Sequence, residues 1–224
     1  MNKNYFNVLF YSALLIFCLF SGNVNAQERR VGFQVGGGLS DVAMPKLESG
    51  GNQIDGSLNI SSFAAAMVVE RTFKKNKLGI NVEPGFIKRG FKTNGASSIF
   101  SPVTAFYYSN LPISFFAQPL GNDRIRLSCG IEMAYLIKTT VNDASLTPVV
   151  EDVFNKFDLL GFVGVQARVY QKLSLGVRVN RAFTPVTSAD YVNDQGESIG
   201  TFGWYNMNAQ LYARYYFYHS TPKS

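Results

Sequence analysis

Apolar and polar residues alternate with a period of two through most of the sequence after residue 26, in eight separate runs. In the clearest run, residues 124–138, the odd positions from Ile125 to Ile137 are apolar and the even positions are mostly polar or small. Successive side chains of a strand point to opposite faces, so this pattern predicts strands with one apolar and one polar face. We place the strands at about residues 31–40, 58–73, 78–91, 103–117, 124–138, 158–169, 173–180 and 205–217.

The segments between these runs alternate in length. Long segments, residues 41–56, 92–102, 139–155 and 184–202, alternate with short ones, residues 74–77, 119–123 and 171–172. Long loops on one rim and tight turns on the other are typical of an up-and-down barrel of the bacterial outer membrane. We therefore predict an all-β fold, an eight-stranded antiparallel up-and-down transmembrane β-barrel. An even strand number puts both chain termini on the periplasmic side.

The first 26 residues differ from the rest and predict an export signal. Lys3 supplies a positive charge, residues 8–20 are apolar apart from Ser12, and small side chains at Val24 and Ala26 suit a cleavage site. The apolar run is shorter than the roughly 20 residues that a membrane-spanning helix needs. We expect a signal peptide over residues 1–26, cleaved after Ala26, and an outer-membrane β-barrel domain over residues 27–224.

The polar face of the runs favours a membrane barrel over a soluble one. Alternation alone does not say which face is internal, and a soluble exported lipocalin-like ligand carrier would also alternate. The polar face is rich in Gly, Ser, Asn and Gln, and only 16% of residues are charged, whereas soluble surfaces usually carry more Lys and Glu. Aromatic residues near the strand ends suit the two membrane interfaces: Phe73, Phe91, Tyr107, Phe157, Tyr170, Phe183, Tyr215, Phe217 and Tyr218.

If the polar face is internal, charged side chains of both signs share the narrow interior. The predicted network has four carboxylates and four arginines, which are Glu70, Glu83, Glu132, Asp158, Arg126, Arg168, Arg178 and Arg214. Buried charges need partners, because removing one partner leaves an uncompensated charge at a cost of several kcal/mol. We interpret these residues as structural and not as a catalytic group.

Four stretches resemble the PorT-type outer-membrane β-barrel family. Residues 81–90, NVEPGFIKRG, are similar to its "pE…Y…kG" strand, and residues 108–113 are similar to its Tyr-Leu-Glu-Ile-Pro strand, with Ser109 and Asn110 as departures. Residues 31–40 and 208–217 are similar to its first and last strands. The resemblance implies a Gram-negative outer-membrane protein, and the family's namesake serves a type IX secretion apparatus. Pro84 and Pro112 each remove a ladder donor, so we expect bulges there.

The sequence offers little for catalysis. The one histidine, His219, lies in the terminal tail, which disfavours a Ser-His-Asp hydrolase and a zinc site. We expect no catalytic residue, cofactor or metal, and no nucleic-acid binding, because the basic residues are scattered. Eight strands leave space only for side chains, so a channel is disfavoured.

Our hypothesis is a non-enzymatic monomer in outer-membrane lipid whose long loops contact an envelope or extracellular protein. The alternatives are an outer-membrane lipid-modifying enzyme and the soluble carrier.

Overall fold

The computed structural model describes residues 27–43, 48–49, 52–53, 58–73, 77–92, 103–119, 124–141, 153–192 and 198–220. Its strands are β1 (Gln27–Ala43), β2 (Glu48–Ser49), β3 (Asn52–Gln53), β4 (Leu58–Phe73), β5 (Leu78–Val82), β6 (Gly85–Lys92), β7 (Val103–Ala117), β8 (Ile125–Val141), β9 (Phe157–Arg168), β10 (Leu173–Ala182), β11 (Thr187–Val192) and β12 (Ser198–Ser220). The predicted signal peptide and its cleavage after Ala26 lie outside these ranges. None of the described segments is a helix long and apolar enough to cross a membrane.

The main sheet closes on itself as a ring of eight antiparallel strands, which confirms the predicted fold class. The order around the wall is β1, β12, β10, β9, β8, β7, then β5 with β6 as one interrupted strand, then β4, which pairs again with β1. Closure leaves no edge strand, so the backbone groups of the wall bond within the protein, as hydrocarbon requires. Both ends of the described wall lie at the short-turn rim, where Gln27 pairs with Phe73 and Arg29 with Ser220.

Strand limits differ from the prediction mainly at the long-connection rim. The strand predicted at residues 205–217 begins at Ser198, and β11 lies within the predicted loop 184–202. These two segments pair with each other from Thr187 opposite Trp204 to Val192 opposite Ser198. The alternation of apolar and polar residues reflects a wall with lipid on one face and a polar interior on the other. A hairpin that extends past the wall does not need this alternation, so it was not predicted as strands. At the other rim, Tyr170 and Leu173 close the predicted two-residue turn through paired backbone hydrogen bonds of 3.1 and 3.2 Å.

The apolar rows face outward and the polar rows face inward. Phe33, Phe86, Phe115, Val163 and Leu211 are each more than half exposed on the outer wall. The inward positions hold buried Asn, Gln, Glu and Arg side chains. An outer apolar band around a polar interior is the arrangement of a transmembrane barrel. A soluble carrier needs the reverse, so that alternative is wrong.

Eight of the nine predicted interface aromatics are exposed, and Phe91 is not. Phe91 is 1% exposed and packs inside the barrel, its ring centroid 6.0 Å from that of Phe106 and 5.8 Å from that of Trp204. On β6 the outward positions are Phe86 and Lys88, and Phe91 follows the opposite, inward row. Placing Phe91 at the membrane interface was therefore wrong, because its position in the alternation outweighs its nearness to the strand end.

The two prolines do not create bulges, which corrects that expectation. Register with β7 is the same on either side of Pro84, since Val82 pairs with Ile113 and Gly85 with Asn110. Glu83 and Pro84 only interrupt the strand, separating β5 from β6. Each proline keeps one ladder bond through its carbonyl: Met67 N donates to Pro84 O (3.0 Å) and Glu83 N donates to Pro112 O (2.9 Å). The wall tolerates the missing donors because half of each hydrogen-bonded pair remains.

Candidate functional site

The structure brings seven of the eight predicted interior charges into the barrel interior. Those at most 4% exposed are Glu70, Glu83, Glu132, Asp158, Arg126, Arg178 and Arg214. The eighth, Arg168, is the last residue of β9 and is half-buried near the short-turn rim. Their common inward direction follows from the period-two alternation of the strands that carry them.

Glu83 is the most extensively bonded carboxylate of this group. Arg178 Nη2 lies 2.7 Å from both of its oxygens, and Arg214 Nη2 lies 2.6 Å from Oε1. Gln34 Nε2 donates to Oε2 at 3.3 Å, and the Asn81 amide also donates to Glu83. Gln34 Oε1 in turn accepts from Arg214 Nη2 at 2.6 Å. This cluster therefore joins β1, β5, β10 and β12 across the interior through one negative charge.

Glu70 forms a second cluster toward the short-turn rim. Arg126 Nη1 donates to Glu70 Oε2 at 2.5 Å, and the Tyr216 hydroxyl donates to the same oxygen at 2.8 Å. Arg30 Nη1 is 3.8 Å from Oε1, and Arg214 Nη1 is 4.0 Å from Oε2. Arg214 thus connects the Glu70 and Glu83 clusters.

Glu132 and Asp158 form a third cluster, linked by Arg89. Arg89 Nη2 donates to Glu132 Oε1 at 2.5 Å, while its Nη1 is 3.7 Å from Asp158 Oδ2. Asparagine amides complete the shell: Asn180 donates to Glu132 at 2.6 Å and Asn206 donates to Asp158 at 2.6 Å. Each carboxylate is therefore held by at least one charged donor and one amide.

Arg30 and Arg89 are members of the network that the sequence reasoning missed. Both are buried, at 3% and 0% exposure. Arg89 was detectable, because it shares the inward row of β6 with Ile87. Arg30 was missed because it immediately precedes the predicted start of the first strand at Val31. Among the described buried residues, five arginines thus face four carboxylates, so the predicted balance of four against four is replaced by one excess positive charge.

Aromatic rings cover several of the interior guanidinium groups. Arg178 lies 4.3 Å from the ring centroid of Phe162, and Arg126 lies 5.0 Å from that of Phe116. Stacking of this kind stabilises a cation that is removed from water. The aromatic residues thus partly compensate for the desolvation of the arginines.

An apolar layer fills the interior on the long-connection side of the charges. Phe106, fully buried, packs against Phe154 with a centroid separation of 4.7 Å, and Phe91 and Trp204 belong to the same cluster. Below it, a cavity lined by Glu70, Glu83, Arg126 and Tyr212 among others has a volume of about 10 Å³, roughly the room of one water molecule. Side chains therefore occupy the barrel where a pore would run.

The interior charged groups are bonded to one another and to amide and hydroxyl groups. All four buried carboxylates accept hydrogen bonds from arginine or amide groups, which leaves them engaged as acceptors. His219 lies at the chain-terminal rim, with Nε2 3.6 Å from Glu28 Oε2. Within the described ranges, no group of three or more His, Cys, Asp or Glu residues could hold a metal ion.

Several solved outer-membrane proteins are similar to this chain. For Ail, the attachment invasion locus protein of Yersinia pestis, in complex with the heparin analogue sucrose octasulfate, identity is 13% and the TM-score 0.44, covering 87% of this chain and 100% of that chain. For Neisserial surface protein A the values are 11%, 0.45, 84% and 97%. For OprG from Pseudomonas aeruginosa they are 13%, 0.39, 88% and 98%.

The sequence of the chain matches a known protein family over most of its length. No curated protein matches the chain significantly. The sequence profile described as outer membrane protein beta-barrel domain matches residues 25–188. This range includes all the strands from β1 to β10. With the closed eight-stranded ring and its outward apolar rows, this match establishes that the chain belongs to the outer membrane protein beta-barrel domain family.

Proposed function

We propose that this protein is a non-enzymatic, monomeric barrel of the bacterial outer membrane whose long connections bind a protein in the envelope or outside the cell. In this proposal both termini face the periplasm and the long connections face outward. The buried charge network and the apolar layer serve as a filling that keeps the wall rigid. The long-connection rim is then the part of the molecule that is available for recognition.

The hairpin of β11 and β12 is the observation that carries this proposal. The wall pairing of β12 with β1 begins at Tyr205 opposite Ala43, so residues 198–204 of β12 extend past it and pair with β11 instead. Exposed Ser188 of β11 and Thr201 of β12 lie on this hairpin. A projecting hairpin offers both a surface and a row of backbone groups to a partner.

Buried contacts anchor this hairpin to the barrel. Val186 N donates to Trp204 O at 2.6 Å, and Asn155 N donates to Val186 O at 2.7 Å. The Thr187 hydroxyl donates to Val153 O at 3.1 Å. Residues 153–156, residues 183–186 and the base of the hairpin are thus bonded together at the apolar layer, to which Phe154, Val186 and Trp204 belong. Connections held by a rigid scaffold are where binding residues concentrate in proteins.

Site-specific crosslinking in intact cells tests the proposal. A photoreactive amino acid at Thr201 samples the hairpin, and the same residue at exposed Gln171 samples the turn on the opposite rim. We expect a discrete protein adduct from position 201 and a different adduct, or none, from position 171. A secretion-apparatus subunit in the Thr201 adduct would assign the role that the PorT resemblance implies. Identical adducts from both positions, or no adduct at position 201, would contradict the proposal.

A further inference from the structure

A groove of about 750 Å³ lies on the outer wall across β7, β8, β9 and β10. Phe115, Ile131, Val163, Val179 and Phe183 are among its lining residues, and Arg181 is the charged residue among those that line it. An acyl chain is the natural occupant of an apolar depression on a surface that faces lipid. Because the Arg181 guanidinium group lies in the same groove, the occupant should also carry a negative charge.

Gly161 makes the depression possible. It faces outward on β9 and is paired on one side with Ile131 and on the other with Arg181. A Cβ atom at this position would lie 2.7 Å from the Phe183 ring. The ring thus leans over the space that a larger side chain would fill, and the row Ile131, Gly161, Arg181 forms the floor and one end of the groove.

Arg181 breaks the pattern of its own strand. The outward positions before it on β10 are apolar, namely Leu175, Val177 and Val179, each about half exposed. Arg181 itself is exposed, and within the part of the chain that the structure describes its guanidinium group takes part in no hydrogen bond or ion pair. The interior arginines, by contrast, have carboxylate partners. Placing an arginine without such a partner against lipid is costly at the midplane and much less so near an interface.

The position of Arg181 along the wall matches a lipid headgroup. It is the ninth residue after Lys172 in the short turn. With a rise of about 3.3 Å per residue and a tilt of 35–45°, this places it about 21–24 Å above that turn. The apolar band of such barrels is about 25 Å tall. Arg181 therefore lies at the long-connection edge of the band, where phosphate groups of that leaflet are found.

We propose that this groove binds one phosphate-bearing anionic lipid of the leaflet on the long-connection side. The phosphate accepts hydrogen bonds from the Arg181 guanidinium, whose planar fork suits two phosphate oxygens. One acyl chain crosses Gly161 under Phe183 and continues between Ile131 and Phe115. The site is distinct from the hairpin used for protein recognition, so either proposal can fail without the other.

Native mass spectrometry of the full chain in detergent tests this site, with dioleoylphosphatidylglycerol as the probe. We expect one tightly bound probe molecule on the wild-type protein and much less binding of dioleoylglycerol, which lacks the phosphate. Arg181→Gln should weaken probe binding about fivefold, from roughly 1 kcal/mol for one basic residue near an anionic lipid. Ile131→Trp should weaken it by obstructing the groove, and Arg181→Lys should retain most of it.

Lys138→Gln is the matched control, because Lys138 is an exposed cation on β8 outside the groove lining. Its binding should equal that of the wild type. Each variant is first checked for closure by comparing unboiled and boiled samples on an SDS gel, since a closed barrel migrates differently before boiling. Equal probe binding by wild type and Arg181→Gln would overturn the proposal. So would complete displacement of the probe by millimolar inorganic phosphate, which would indicate an anion site without a lipid component.

Discussion

Replacing Glu83 with Gln removes one negative charge from the centre of the barrel while preserving the size of the side chain. Arg178 loses the carboxylate that lies 2.7 Å from its guanidinium, and Arg214 retains only Glu70, 4.0 Å away. Both arginine side chains are 4% exposed. Breaking a buried pair by removing one partner typically costs about 3–5 kcal/mol. We expect a loss of stability in that range.

The assay is urea unfolding of the full chain in lipid vesicles, followed by tryptophan fluorescence. Trp204 is the one tryptophan of the sequence and is 7% exposed in the apolar layer. Unfolding should therefore change its emission strongly. The shift in midpoint, multiplied by the denaturant slope, gives the change in free energy of unfolding.

Glu28→Gln is the matched control for this variant. Glu28 also pairs with an arginine, 3.0 Å from Arg30, but its side chain is 31% exposed at the rim. Arg30 is buried but still has Glu70 at 3.8 Å after this change, and the Glu28 carboxylate is partly open to solvent, so we expect a smaller loss than for Glu83→Gln. The double variant Glu83→Gln with Arg178→Met should be less destabilised than the sum of the two single changes, because it removes both buried charges together. If Glu83→Gln costs no more than Glu28→Gln, the idea that the interior charges stabilise the wall is wrong.

Three further changes test other parts of the structure. Ile131→Arg, on the outer wall in the same cross-strand row as Arg181, should cost less in vesicle unfolding than the roughly 2–4 kcal/mol of an arginine at the bilayer midplane, while Ile131→Leu should be close to neutral. Phe106→Ala should cost about 3–5 kcal/mol by opening the apolar layer, while exposed Phe115→Ala should cost much less; equal losses would contradict the layer. An epitope tag after Ser224 should react with antibody only in permeabilised cells, and labelling of intact cells would reverse the proposed orientation.

The sequence predicted the faces of the wall strands well because a thin wall between lipid and a polar interior imposes a strict period of two. On β8 the alternation holds from Ile125 to Ile137, but Lys138, which was predicted on the polar face, is exposed and Thr139 is buried, because the register with β7 shifts there. The alternation shows which face of the wall a side chain occupies. It does not show how high along the barrel axis the side chain lies or which side chain it contacts. That Arg126 meets Glu70, and that Arg178 meets Glu83, depends on the stagger of strands that are distant in sequence.

Prediction was weakest where the interior becomes apolar. Toward the long-connection rim, inward positions such as Ile87, Phe91 and Phe106 are as hydrophobic as outward ones. The inward and outward faces of β6 then both carry hydrophobic residues, so the sequence no longer shows which face is internal. The projecting hairpin was not predicted for a related reason, because the sequence of β11 carries no alternation of apolar and polar residues.

The seam between β1 and β12 has a consequence for how the protein is made. The two strands that complete the ring are the first and last strands of the described chain, so the cylinder forms only after synthesis reaches its C-terminal segment. A product that ends before Ser198 would leave β1 and β10 each without one of its two neighbours, because β12 is missing. Unsatisfied strand edges recruit other chains, and pairing of sequence-distant strands is slow. Chains that reach the periplasm without β12 should therefore depend on periplasmic chaperones to avoid aggregation.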